Sequence, residues 1–183
     1  NSSQVDDYDG MKLPVALLDR TLYKDGEWNT LCLPFNIALQ GSPLDGAVAR
    51  PLTSASVSGS TLTLTFGIAV DELVAGTPYI IKWDKAAENI VNPVFSGVTI
   101  NSDKHDYDTA DNDVTTDLRV RFLGTYAPLS FTAEDKSILF MGAENKLYYP
   151  LDGASINAQR AYFKIGEDGT ALARQLTAFH INF

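Results

Sequence analysis

The residues best suited to chemistry lie between Asn101 and Asp117, in the run NSDKHDYDTADNDVTTD. Six aspartates crowd this stretch: Asp103, Asp106, Asp108, Asp111, Asp113 and Asp117. Crowded carboxylates repel one another, and a hard, oxygen-seeking cation such as Ca2+ relieves that repulsion. Taking Asp106 as the first position of a calcium loop puts Asp108 at the third and Asp117 at the twelfth. The match then fails. Ala110 stands where an oxygen ligand is needed, and Asp111 stands where an EF-hand loop turns on glycine. The segment is not an EF-hand. Two readings stay open: a solvated acidic connection between strands, or an irregular calcium loop built from the six aspartates.

Other reaction chemistries find little support. The chain has two histidines, His105 and His180, and one cysteine, Cys32. His105 sits in the acidic stretch, and His180 falls on the polar side of the last alternating run. Neither neighbours a Gly-x-Ser-x-Gly elbow, which is absent. A zinc site needs more nitrogen and sulfur ligands than these. Cys32, between Leu31 and Leu33, reads as a small buried core residue rather than a reactive thiol. A glycoside hydrolase needs two carboxylates facing each other across a cleft, and spacing alone does not reveal such a pair. No glycine-rich phosphate loop or dinucleotide fingerprint occurs. The reading is of a non-enzyme without a cofactor, Ca2+ apart.

Aromatic faces are the remaining candidates, because Trp and Tyr rings stack on sugars. Trp83, Tyr148 and Tyr149 are the ones singled out. Alternation puts Tyr79, Ile81 and Trp83 on one side of a strand, and it points Tyr148 and Tyr149 to opposite faces. Core packing competes with sugar binding at each.

These groups must be positioned by strands. Thr61 to Phe66 alternates strictly, with Leu62, Leu64 and Phe66 on one face and threonines on the other. Ser54–Ser58 alternates before it and Gly59 marks the bend, which predicts a hairpin. Arg20–Tyr23 and Trp28–Leu33 flank Asp25-Gly26, which predicts a second hairpin. Further strands are expected at 79–83, 93–100, 118–126, 137–141, 146–149, 161–165 and 177–183. In the last of these Phe179, Ile181 and Phe183 point inward. Single helical turns are expected at Val70–Val74 and Thr132–Lys136. Residues 1–10 read as a disordered acidic lead-in. Residues 11–183 read as one all-β domain, an antiparallel sandwich of roughly ten or eleven strands with Greek-key or jelly-roll-like connections.

Charge and composition bound the partners. The 183 residues carry a net charge of −9, with 23 acids against 14 bases. That balance repels phosphate backbones and argues against nucleic acid. No run approaches the ~18 consecutive apolar residues of a membrane helix, so no membrane insertion is expected. No charged-then-apolar leader opens the chain, and the expectation is that any secretion signal has been removed or was never there. The chain is expected to be a monomer or part of a longer protein that continues past Phe183.

The series GEWNTLCLPF, LVAGTPYIIKW, NPVFSGVTI, FLGTYAPL, NKLYYP and INAQRAYFKI resembles a β-domain of surface and secreted proteins from gut Bacteroidetes. Some of those proteins carry leucine-rich repeats and are described as cell-adhesion proteins. The resemblance spans about residues 18 to 183. It implies an extracytoplasmic address, secreted or associated with the outer membrane. It implies an adhesive or spacer role, with glycans or surface proteins of host or bacterium as partners. It transfers no site residues. Asp108-Thr109-Ala110 resembles an O-glycosylation acceptor of that phylum, which would make Thr109 the modified residue. A glycan-binding module is the alternative function, and a glycoside hydrolase the third.

Overall fold

Strand β6 (Thr61–Phe66) realises its alternation fully. In the computed structural model, Leu62, Leu64 and Phe66 are buried while Thr61, Thr63 and Thr65 are half-exposed. The structure describes residues 2–86, 88–110, 118–166 and 176–183. Strand β5 (Val48–Ser58) precedes β6 and pairs with it antiparallel. The two-residue loop Gly59-Ser60 joins them. Gly59 has φ +59°, the left-handed value a primed turn requires at its first central position.

Strands are numbered in chain order. The first sheet runs β18 (Ala178–Asn182), β6, β5, β8 (Tyr79–Lys82), β3 (Asn29–Leu31). The second runs β11 (Tyr107–Asp108), β12 (Val120–Gly124), β17 (Ala161–Ile165), β14 (Ile138–Met141), β15 (Leu147–Tyr148). Four two-stranded ribbons complete the fold. They pair β1 (Lys12–Leu17) with β10 (Val94–Thr99), and β2 (Thr21–Leu22) with β9 (Ile90–Val91). They also pair β4 (Ile37–Ala38) with β7 (Glu72–Leu73), and β13 (Leu129–Ser130) with β16 (Ser155–Ile156). The chain is all-β and sandwich-like, as expected.

Two hydrophobic cores hold it. In the first, Val57, Leu62, Leu64, Phe66 and Ile80 pack with Val120, Phe122, Leu139, Phe163 and Ile165 of the second sheet. Phe122 stacks on Phe163 at 4.6 Å, and Phe66 meets Phe122 edge-on at 6.0 Å. The second core gathers Leu31, Ala49, Tyr79 and Ile81 with Leu22, Leu73, Phe95 and Val98 from the ribbons. Strand β8 serves both, which explains why Tyr79-Ile80-Ile81 reads as a continuous apolar run rather than an alternating one.

Several expectations need correction. Asp25-Gly26 does turn: Asp25 Oδ1 accepts the Glu27 N–H at 2.9 Å and Gly26 has φ +88°. Yet its flanks do not pair. β2 pairs with β9 and β3 with β8, because each buries its apolar residues against a more distant strand. Val70–Val74 is no helical turn; Glu72 and Leu73 form β7 against β4. Thr132–Lys136 is not helical either. The acidic lead-in is not wholly unstructured: Ser2–Asp7 form a short helix, and Gly10 N–H donates to Ile100 O at 2.9 Å. Among the described residues eighteen strands form, more than the ten or eleven expected, since two-residue ribbons give almost no periodic signal. One pairing is parallel, β18 on β6. Phe179 and Ile181 pack on the first core, while Phe183 is 58% exposed and stacks on Trp28 at 5.2 Å.

Candidate functional site

The described half of the acidic stretch is tied to the scaffold. Asn101 N–H donates to Pro34 O at 2.8 Å, and His105 N–H to Gly76 O at 3.1 Å. Asp106 Oδ1 accepts the Gly124 N–H at 2.6 Å. Burial raises the Asp106 pKa, opposed by that N–H and by the charges of Lys104 and His105. Asp108 is buried, and both its oxygens accept from Arg119, Nε lying 2.9 and 3.0 Å away. Asp103 is exposed. Asp111, Asp113 and Asp117 lie outside the described residues. Among the described residues no three His, Cys, Asp or Glu side chains gather as metal ligands.

The pair Asp108–Arg119 gives a pH signature. The hydrogen bond from Arg119 is the main cause that holds the Asp108 pKa below its ordinary value. A depressed folded-state pKa stabilises the fold above the ordinary carboxylate pKa, and that stability is lost as pH falls through the folded value. Asp108→Asn is expected to cost about 1–3 kcal/mol near neutrality, toward the low end because Arg119 is 30% exposed and screened. The gap between variant and wild type should shrink as pH drops below about 4. Urea melts across pH measure this, and a gap that stays constant would refute it. Asp106 has the opposite sign: its raised pKa makes its charge a cost that acid relieves.

Thr109 is also inside the fold. Its Oγ1 accepts the Val120 N–H at 3.0 Å. An O-glycan there would have to be attached before this pairing closes.

Of the aromatic candidates, Trp83 is 3% exposed and its Nε1 donates to Asp45 O at 3.1 Å. Tyr149 is half-buried, and its hydroxyl accepts the Leu176 N–H at 2.8 Å. Tyr148 alone of the three is open, 42% exposed, with its ring over Gly142 and 6.0 Å from Phe140.

Cys32 is buried beside Gly124. Burial first, then the Asp106 carboxylate, pushes its thiol up to about 12. The native protein is therefore expected to resist a thiol reagent at pH 8 and react only when unfolded. Labelling of folded protein at the rate of a free thiol would overturn this assignment.

A groove lined by both polar and aromatic groups lies elsewhere, in a cleft of about 300 Å³ between the 23–30 segment, residues 141–143 and Arg160. Tyr23, 49% exposed, Trp28, Asn29 and Arg160 line it, with Asp25 and Glu27. Asn29 Nδ2 donates to Tyr23 O at 3.2 Å, and Trp28 N–H to Asn145 Oδ1 at 2.7 Å, so the walls are fixed by hydrogen bonds. Lys82 Nζ lies 4.8 Å from the Trp28 ring centroid. Asp25 and Glu27 belong to one turn and each accepts a backbone N–H, from Glu27 and Glu144 respectively.

Compared with family models, curated proteins and solved structures, the chain matches none. The sequence pointed to neither Tyr23 nor Arg160. Arg160 lies in an apolar run, where a cation reads as a solvated strand end. The one usable signal was Arg160 itself, set next to a strand with no acid in the flanking residues 157–165, whereas Arg20 directly follows Asp19.

Proposed function

We propose that this chain is a non-catalytic module of a cell-surface or secreted bacterial protein, acting in adhesion or as a spacer within a longer chain. One observation carries the reading: the groups that could have done chemistry are bound into the scaffold. Asp108 is held by Arg119, Asp106 by the Gly124 amide, Trp83 by Asp45 O, and Cys32 is buried with a raised pKa. The resemblance of its aromatic runs to surface proteins supports the address. Fractionation of the native host tests it: recovery in the outer-membrane or culture fraction agrees, and recovery in the cytoplasm refutes it.

The cleft at Tyr23 favours a second reading, a glycan-binding module. It combines an exposed aromatic face with amide, carboxylate and guanidinium groups, the mixture that stacks on a sugar ring and catches its hydroxyls. A glycan array probed with the labelled domain tests it, and an array without hits removes it.

A further inference from the structure

Arg160 is a half-buried guanidinium on the wall of the Tyr23 cleft, and its side chain makes no hydrogen bond or ion pair among the described residues. Behind it lies a second arginine. Arg20 is 8% exposed, and its Nη1 donates to Thr30 O at 3.1 Å and to Gln159 O at 2.7 Å, the residue next to Arg160. Nε and Nη2 of Arg20 are buried with no partner. Burial, then repulsion from Arg160, lowers the Arg20 pKa to about 9. Among the described residues no acid forms an ion pair with either arginine. Two cations set together in a part-dry wall cost stability, and a bound anion would offset that cost.

We propose that the cleft binds a carboxylated sugar, its carboxylate seated on the Arg160 guanidinium and its ring on Tyr23. This rests on the glycan-binding reading of the same site. A planar guanidinium takes a carboxylate through two parallel hydrogen bonds. Arg20 is sealed from solvent and adds positive potential from behind. Asp25, Glu27 and Asn29 offer acceptors that suit sugar hydroxyls. The same two carboxylates repel phosphate-rich or heavily sulfated polymers, so the site suits one negative charge among many hydroxyls. The cleft is at the lower end of small-ligand sites, room for one or two sugar rings.

The test uses the whole chain and titrates methyl β-D-glucuronide, methyl β-D-glucoside and acetate by calorimetry and amide NMR. The glucuronide is expected to bind, with the glucoside weaker by roughly tenfold or more. Arg160→Gln should drop the glucuronide to the level of the glucoside. It should also leave the thermal midpoint unchanged or raised, because it removes the repulsion on Arg20; a purely structural Arg160 would lower it. Equal binding of both sugars, unaffected by Arg160→Gln, overturns the carboxylate assignment and leaves glycan binding standing. Acetate binding as tightly as the glucuronide overturns the sugar class. No binding of either sugar at millimolar concentration overturns both.

Discussion

Phe163→Ala is expected to destabilise the protein by about 3–5 kcal/mol. Phe163 is fully buried in the middle of the second sheet, stacked on Phe122 and flanked in register by Phe122 and Leu139. Truncation removes its apolar surface from the core and leaves a cavity that two five-stranded sheets cannot collapse around. A domain of this kind has about 5–15 kcal/mol in total, so the variant should melt far earlier in urea. Phe163→Leu should recover more than half of the loss, because it refills most of the volume. A loss below about 1 kcal/mol would mean the two sheets do not share this core.

Gly76→Ala is expected to be comparably damaging although it adds one carbon. Gly76 has φ +74°, and a Cβ there would collide with the Asp103 carbonyl oxygen and meet Lys104 Cα at 3.0 Å. Both obstacles are backbone and cannot rotate aside. Gly76 is itself held on both sides, its N–H on Leu33 O at 2.8 Å and its carbonyl on the His105 N–H. Left-handed strain and overpacking each cost about 1–3 kcal/mol, which together make about 2–6 kcal/mol. Gly59→Ala is the control: it has φ +59° with open space around the added carbon, so it should show only the conformational part. Chemical melts of the two variants separate the terms. Equal losses would sink the claim that Gly76 is where the acidic stretch docks.

That docking shows how much of the candidate site was legible. The aspartates from Asn101 onward read as one crowded, solvated group, since spacing reports charge density and nothing about depth. The fold splits those it describes. Asp103 is exposed, Asp106 caps the end of β12, and Asp108 is buried against Arg119. The aromatics divided similarly. Alternation placed Trp83 with Tyr79 and Ile81, and all three share the second core. It also set Tyr148 and Tyr149 on different faces, and the more exposed one is Tyr148.

What the sequence determined by itself is local. Period-two alternation in Thr61–Phe66 dictated a half-buried strand, and a glycine at position 59 dictated the turn before it, because both follow from backbone geometry within a few residues. Tertiary structure alone decided which strands meet. Asp25-Gly26 turned without making a hairpin, since β2 and β3 each buried more by pairing with β9 and β8. The same long-range choices brought Arg20 beside Arg160 and opened the cleft at Tyr23. Contacts between residues so distant in sequence are selected by the burial they share, and burial is a property of the assembled layers rather than of any one run.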